Sequence, residues 1–368
     1  MLQMLAGMSW VYWLAFIPVL GLLVFIHELG HFLAARRMGV KVEEFGFGIP
    51  PRAKTLFERD GVKYTINWLP LGGFVRMAGE EGNFETEGSL YSKQPWQRAF
   101  VLIAGPAMNL LAAFVLFTLV YMVGISTPQA AGRVMVQQVM ADSPAQAAGL
   151  QQGDFITSVN GQPIDREADL LEVIGAAAGQ TVPIVVDRNG QPVTLDITPR
   201  TSGPVKIGIY MAPERVEQVV ERYGPIEAVV KGAQETVAGV LGLITFLWRA
   251  VFGLFTAAPM PDGGGLTGPI GIARMTGEIA REGIDKLLYL AAAISISLGT
   301  LNLLPIPALD GGRLVFVVAE WLRGRRIPPE REAIVHAVGM ISLLLLMAVV
   351  SYFDVAKWVQ GISPLGGG

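Results

Sequence analysis

The sequence predicts a membrane α-helical bundle of four transmembrane helices, with a membrane-associated β-hairpin region and an inserted extracytoplasmic α+β domain. The 368 residues are 52% hydrophobic and only 16% charged, whereas a soluble domain carries about a quarter charged residues. Four apolar stretches reach the ~20 residues that a helix needs to cross a bilayer. They are residues 8–35, 99–125, 287–309 and 333–353. A segment with alternating strand and turn signals separates the second stretch from the third.

The boundaries between the expected units fall at changes in hydropathy and turn composition. The units are the first transmembrane helix (1–39), the β region with a cytoplasmic loop (40–97), the second transmembrane helix (98–125), the inserted domain (126–213), amphipathic juxtamembrane helices with a loop (214–284), the third transmembrane helix with a cytoplasmic helix (285–325), the fourth transmembrane helix (326–354) and a tail (355–368). The last residues of the tail, from Ser363, are expected to be disordered.

Basic residues predict the orientation of the helices. Arg36 and Arg37 follow the first apolar stretch, which no Lys or Arg precedes, and Arg98 lies just before the second. Several arginines follow the third stretch as well. Because positively charged loops stay in the cytoplasm, both termini and the inserted domain are expected on the outer side.

Charge and cysteine usage exclude several functions. The formal net charge is −3, so nothing indicates a nucleic-acid partner. The chain has no cysteine, which excludes disulfides, zinc ribbons and thiol catalysis. Any metal therefore binds to His, Asp, Glu or Asn side chains. The chain has only three histidines, and two of them are four residues apart.

These two histidines belong to the H-E-x-x-H pattern His27-Glu28-Leu29-Gly30-His31. On a helix, residues four apart project to one face, so both imidazoles can bind one ion. Catalytic zinc takes three protein ligands and acidifies water, and Glu28 is placed to accept the proton and later to protonate the leaving amine. The alternative, a helix surface without function, is disfavoured because ionisable residues inside a membrane helix are costly.

Asp310 is the expected third ligand. It follows an apolar run broken by Pro305 and Pro307, and such irregular backbone occurs at membrane depth only when it is buried in protein or lines a wet cavity. Two alternatives stay open. In the first, Asp310 binds no metal and only caps the helix that follows it. In the second, the third ligand is His336, but this residue lies among charges and is expected to be solvated or interfacial.

Residues 225–258 are apolar, but Lys231, Glu235 and Arg249 interrupt them. If His27 and Asp310 share one depth, the first and third transmembrane helices run in the same direction, and one extra crossing between them would prevent this. We therefore expect amphipathic helices that lie on or partly in the outer face. Whether they penetrate the bilayer stays open.

The β region and the inserted domain are predicted from turn signals. Glycines and prolines punctuate residues 40–78, which are expected to form a small antiparallel sheet or hairpin, with a plain cytoplasmic loop as the alternative. In the inserted domain, Ser143-Pro144 begins a short helix and Asn160-Gly161 and Asn189-Gly190 form hairpin turns. Strands are expected near 133–140, 155–159, 181–187 and 191–198, and a helix near 166–177. The order and spacing of these motifs resemble those of a PDZ domain.

Over nearly its whole length the chain resembles the bacterial site-2 proteases, the regulator-of-sigma-factor type of intramembrane metalloprotease. The motifs on which this resemblance rests are His27 to His31, Asn302 to Gly311 (N-x-x-P-x-P-x-L-D-G), Gly105 to Asn109 (G-P-x-x-N), Phe45 to Gly48, Pro70 to Val75, and Gly268 to Ile272. Well-known members have two tandem PDZ domains, whereas this chain has room for one.

The resemblance implies an intramembrane zinc metalloendopeptidase with one Zn²⁺ per chain and with Asp310 as the third ligand. The implied substrates are single-pass membrane proteins such as an anti-sigma factor, after an upstream site-1 protease has cut them, and signal-peptide remnants. The expected location is the bacterial inner membrane, in contact with lipid. Asn109, Asn302, Gly46 and Gly48 are expected to bind substrate, although the asparagines alternatively form hydrogen bonds between helices.

Two other functions are weighed against peptidase activity. A membrane PDZ scaffold without catalysis has no need of Glu28. A metal transporter would need further intramembrane acids along a path, and the second and fourth apolar stretches contain none.

Overall fold

The computed structural model describes residues 11–79, 86–202, 206–256 and 267–360. The chain forms two compact units, one from residues 1–125 and 222–368 and the other from residues 126–221. The tail from Ser363, expected to be disordered, lies outside the described residues. The first unit contains most of the helices, and the second is mainly β-sheet.

Helices and strands are numbered separately along the chain. The helices are α1 (Val11–Arg37), α2 (Pro95–Val123), α3 (Pro144–Ala148), α4 (Glu167–Ala176), α5 (Pro225–Thr256), α6 (Pro269–Glu282), α7 (Ile284–Asn302), α8 (Asp310–Arg323) and α9 (Pro329–Val359). The strands are β1 (Val42–Arg59), β2 (Val62–Met77), β3 (Ile125–Val139), β4 (Phe155–Val159), β5 (Gln162–Pro163), β6 (Val182–Arg188), β7 (Gln191–Ile197) and β8 (Ile209–Glu221).

Within the described ranges, five helices are long and apolar enough to cross a membrane: α1, α2, α5, α7 and α9. Four of them correspond to the four expected crossings, and α5 is the fifth. The number of actual crossings therefore stays a prediction. The helix α9, which contains the fourth predicted apolar stretch, extends further than expected, to Val359.

In the first unit, α1 and α7 both run antiparallel to α2. Ser295 Oγ of α7 donates a hydrogen bond of 2.8 Å to the carbonyl oxygen of Asn109, and the rings of Phe117 and Tyr289 lie 5.0 Å apart. Residues later in α2 thus meet residues earlier in α7, so the two helices are antiparallel. His31 of α1 likewise meets Val101 of α2 while His27 meets Asn109. The helices α1 and α7 consequently run in the same direction.

The expectation for residues 225–258 is corrected in part. One continuous helix of 32 residues forms in place of several helices, and its position on or in the outer face stays a prediction. Its N-terminal half packs along α2 and α7, where Gly232 abuts Thr118 and Gly239 abuts Ile296. Small residues at these points allow the close approach of neighbouring helices that membrane bundles favour.

The β region is a sheet of four segments made by two bent strands. In spatial order the segments are 73–77, 42–47, 62–67 and 52–59. Buried Glu44 joins all four, because it accepts hydrogen bonds from Arg52, Thr65 and Arg76. Burial alone raises the pKa of Glu44, but the bonds from Arg52 and Thr65 outweigh it, so the pKa lies below its usual value. The sheet packs on α1, where the Phe32 and Phe45 rings stack at 4.5 Å.

The second unit is a six-stranded sheet with two helices. The strand order is β7-β6-β4-β3-β8, and β5 pairs with β4. Its core is aliphatic and includes the fully buried Val136, Ile156 and Ile184. The unit extends to Glu221 rather than to residue 213, because β8, which no sequence signal predicted, adds an edge strand.

Candidate active site

The helix α1 supplies two imidazoles from one face. The Nε2 atoms of His27 and His31 lie 3.1 Å apart, and the two residues are only 8% and 7% exposed. The spacing alone explains the convergence, since four residues of helix return the side chain to within about 40° of its starting direction.

Asp310 completes the cluster from the start of α8. Its Oδ2 lies 3.1 Å from His27 Nε2 and 3.2 Å from His31 Nε2. A tetrahedral zinc with bonds of about 2.0–2.1 Å separates its ligand atoms by roughly 3.3 Å, so the three atoms fit one such ion. Among the described residues, these three form the group of His, Asp and Glu side chains that fits a metal ion.

Hydrogen bonding orients His31 so that its Nε2 can serve as a metal ligand. His31 Nδ1 lies 2.8 Å from the carbonyl oxygen of Val101. A carbonyl only accepts, so Nδ1 carries the proton and Nε2 of the neutral ring presents a lone pair. This lone pair lies 3.2 Å from Asp310 Oδ2, and a metal ion bound by both atoms would remove the repulsion between the two acceptors, as would a proton on Nε2.

The close approach of α2 to the imidazoles depends on Gly105. A Cβ atom at this position would lie 2.3 Å from His31 Nε2, a separation at which no side chain fits. Glycine therefore lets the backbone of α2 form a wall of the site, and the same approach brings the Val101 carbonyl to His31.

Asn109 supports His27 from the same helix. Its side chain is fully buried, and Nδ2 lies 3.1 Å from His27 Nδ1. With Nδ2 facing the ring, the imidazole proton sits on Nε2 and points to Asp310. With the amide rotated by 180°, Oδ1 accepts a hydrogen bond from Nδ1–H, and Nε2 is free as a ligand. An asparagine supports both tautomers, which neither an aspartate nor an aliphatic side chain does.

Glu28 lies at the border between α1 and the β region. It is half-buried, and Gly73 of β2 approaches it so closely that a Cβ there would lie 3.0 Å from Glu28 Cβ. The edge segment 73–77 of the sheet therefore passes directly beside the carboxylate that follows His27.

The structure brings only some of the expected substrate-binding residues to this site. Asn302 Nδ2 donates to the Leu298 carbonyl of its own helix at 2.9 Å. Gly46 pairs with Phe74 on one side and with Thr65 on the other, so no further strand can pair with it, and its expected contact with substrate stays a prediction. Gly48 has a positive φ of 88° and accepts a hydrogen bond from Asn67 Nδ2.

His336 is not a member of the cluster, in agreement with the preference for Asp310. Its Nδ1 accepts a hydrogen bond of 2.8 Å from the Ala308 N–H. Of the two expected environments, solvated or interfacial, the first is wrong, because His336 Nε2 is buried without a hydrogen-bond partner among the described residues, and the second stays a prediction. No sequence signal revealed this contact, since 28 residues separate the two partners.

The fold and the site together define a membrane metallopeptidase: an apolar helical bundle encloses two imidazoles and a carboxylate, and a glutamate lies next to them. The profile described as "Peptidase family M50" matches residues 15–346. The chain therefore belongs to peptidase family M50.

Two relatives extend over almost the whole chain. "Regulator of sigma-W protease RasP" of Bacillus subtilis (strain 168) is 30% identical and covers 94% of this chain and 98% of its own length. "Zinc metalloprotease RasP" of Geobacillus kaustophilus (strain HTA426) has the same identity and the same coverage.

Among solved structures, the PDZ domain of the SdrC-like protein Lmo2051 from Listeria monocytogenes is 26% identical over 24% of this chain and 93% of that chain, with a TM-score of 0.20. A TM-score at this level carries no argument about fold. The PDZ-like character of the second unit therefore rests on its motifs and on the order of its strands and helices.

Proposed function

We propose that this chain is an intramembrane zinc metalloendopeptidase that cleaves the transmembrane segments of single-pass membrane proteins. The observation that carries the proposal is the convergence of His27 Nε2, His31 Nε2 and Asp310 Oδ2 within 3.1–3.2 Å of one another inside a bundle of apolar helices. The names of the RasP relatives support zinc as the metal, and we propose one zinc per chain.

The side chains divide the chemistry between them. His27, His31 and Asp310 hold the zinc, which supplies Lewis-acid chemistry when bound: it polarises a carbonyl and acidifies water. Glu28 accepts a proton from the attacking water on its carboxylate and later delivers it to the amine that leaves. Asn109 holds the ring of His27 in the tautomer that the metal requires.

A substrate helix hides its carbonyls in its own hydrogen bonds, so it must unwind before it is cut. We propose that the unwound segment adds as a strand to the edge segment 73–77 of the β region. Two features support this edge. Within the described sheet it has a neighbour on one side only, and Gly73 lies against Glu28.

The substrate class and the orientation follow as further parts of the proposal. The sigma-W name of the Bacillus subtilis relative supports an anti-sigma factor as substrate, cut beforehand by a site-1 protease. Arg36 and Arg37 at the end of α1 support a bacterial inner-membrane protein with the termini and the PDZ-like unit outside. That unit is proposed to exclude substrates whose ectodomain is still bulky, with the binding of a newly formed substrate C-terminus as the alternative.

The test replaces Glu28 by Gln in the full chain, purified in detergent and loaded with zinc. Glu28→Gln is expected to keep about one zinc per chain, because the side chain is not a ligand. Cleavage of a single-pass membrane substrate that lacks its ectodomain should fall at least a hundred-fold, since general acid–base catalysis contributes about 10²–10⁴. Bound zinc is measured by elemental analysis, and cleavage is measured by gel electrophoresis and mass spectrometry.

The matched control is Glu282→Gln, the same chemical change at an exposed position paired with Lys286, which should cleave like the wild type. Cleavage at wild-type rates by Glu28→Gln would overturn the mechanism. A wild-type chain that binds zinc but cleaves no membrane substrate would instead favour the transporter or the scaffold.

A further inference from the structure

The loop that precedes Asp310 is not held by regular secondary structure. Between the end of α7 and the start of α8, short backbone bonds fold it tightly, including Ile306 N–H to the Leu304 carbonyl at 2.7 Å. Ala308 has a φ of +78°, a left-handed conformation that alanine rarely adopts. Such strain persists only where the surroundings hold it in place.

The helix α9 provides that support at two successive loop residues. The N–H of Ala308 donates a hydrogen bond of 2.8 Å to His336 Nδ1. Nearly one turn further along α9, Gly339 meets Pro307 so closely that a Cβ would lie 2.4 Å from the proline Cβ. Both contacts bear on the residues immediately before Leu309 and Asp310.

The protonation of His336 is defined by this bond. Because the Ala308 N–H can only donate, Nδ1 presents a lone pair and the ring proton sits on Nε2. That Nε2 is buried and has no hydrogen-bond partner in the described part of the chain. A buried N–H without a partner is unfavourable, and a leucine would fill the same space without it. Packing alone therefore does not account for a histidine here, whereas an acceptor for Ala308 does.

We propose that His336 is a positioning residue for the metal site. It fixes the Ala308 N–H, and thereby the left-handed turn that sets the Asp310 carboxylate at its distance from the two imidazoles. This inference rests on the proposed function, because it assumes that Asp310 is a metal ligand. His336 itself does not contact the cluster.

Three substitutions at this position separate an acceptor from a space-filling role. The side-chain oxygen of Asn reaches about the position of Nδ1, so His336→Asn keeps the acceptor. His336→Gln moves the oxygen to about the position of Nε2, and His336→Leu removes it. Gly339→Ala displaces Pro307 and tests the second contact independently. Ser342→Ala, on an exposed part of α9 where the hydroxyl bonds its own helix, is the control.

The readouts are the zinc dissociation constant from chelator competition, the visible spectrum of the cobalt-loaded chain, kcat and KM for a membrane substrate, and thermal unfolding of the metal-free chain. His336→Leu, His336→Gln and Gly339→Ala should weaken zinc binding about 10–100-fold, as loss of outer support does. They should also change the cobalt spectrum and lower kcat more than KM. His336→Asn should recover most of the affinity, and Ser342→Ala should match the wild type.

Two results would overturn the inference: an unchanged zinc dissociation constant in His336→Leu, or no recovery in His336→Asn when metal-free unfolding is the same in both variants. A wild-type chain that binds no zinc in the same assay would overturn the metal site itself. The failure of this inference is thereby distinguished from the failure of the proposed function.

Discussion

The second unit and the site of the first unit are built in opposite ways. In the second unit, neighbouring residues make the structural elements: Ser143 caps α3 by accepting from the Gln146 N–H at 3.1 Å, and Asn160-Gly161 turns β4 into β5 with positive φ at both residues. In the first unit, the site joins residues far apart in sequence, since His27 and Asp310 are 283 positions apart.

This difference determines how many parts of the structure a mutation affects. A change in a cap or a turn acts on one element and affects the stability of that unit alone. A change in the wall of the site acts on side chains from several helices at once, because the interior is close-packed and yields little. The predictions below test this contrast, beginning with the change that places an atom directly against a ligand.

Gly105→Ala is expected to have the largest effect. The new Cβ would lie 2.3 Å from His31 Nε2, so either the imidazole or α2 must move. Zinc binding and cleavage should both be lost, as measured by elemental analysis of the purified chain and by the cleavage assay.

The matched control for this change is Gly242→Ala on α5, where nothing lies within 4 Å of the added Cβ. It should leave zinc and cleavage unchanged and should stabilise the helix by up to about 1 kcal/mol. Full zinc occupancy in Gly105→Ala would show that α2 or the imidazole of His31 can shift without loss of the metal site, against this prediction.

The second prediction concerns the tautomer of His27. Asn109→Leu removes the partner of Nδ1 and should weaken zinc binding about 10–100-fold. Asn109→Asp retains an acceptor for the Nδ1 proton and should bind zinc at least as well as the wild type. Chelator competition measures both constants, and equal affinity in the two variants would contradict the assignment of Asn109 as a support of His27.

The ligand set was accessible to sequence reasoning because it obeys simple rules. The i,i+4 spacing of His27 and His31 places both on one face of a helix, whatever surrounds them. Asp310 was singled out because two prolines interrupt an apolar run just before it. The hairpin turns at Asn160-Gly161 and Asn189-Gly190 also lie where the dipeptides predict them, since the signal and the structure involve the same residues.

What sequence reasoning missed is the set of contacts between distant segments. The carbonyl group of Val101 that orients His31 belongs to the backbone, so the type of residue at this position does not predict the contact. His336 was expected to be solvated or interfacial because its sequence neighbours are charged, but it accepts a hydrogen bond from Ala308 in the loop before α8. The packing of α5 against α2 and α7 was not predicted for the same reason: the charges that interrupt its apolar pattern do not reveal which helix it packs against.

The smallest effect is expected in the second unit, from Arg188→Met. Arg188 donates to both carboxylate oxygens of Asp154 at 2.8 and 2.7 Å, and Asp154 is 1% exposed. Loss of these charged hydrogen bonds should lower the free energy of unfolding of this unit by about 1.5–3 kcal/mol, while bound zinc stays unchanged. Arg166→Met is the control, because its ion pair with Asp169 lies at the surface and should contribute little.

This effect should also depend on pH in a defined direction. Burial alone raises the pKa of Asp154, but the bonds from Arg188 and the Gln151 N–H outweigh it and hold the pKa below its usual value. A depressed folded-state pKa contributes stability above the unfolded value of about 3.9 and loses it as the pH falls through the folded value. The difference between wild type and Arg188→Met in urea pulse proteolysis should therefore be full at pH 7, with thermolysin, and smaller at pH 3, with pepsin. A difference that stays the same on acidification would mean that the stabilisation comes from the packing of the Arg188 side chain rather than from its ion pair with Asp154.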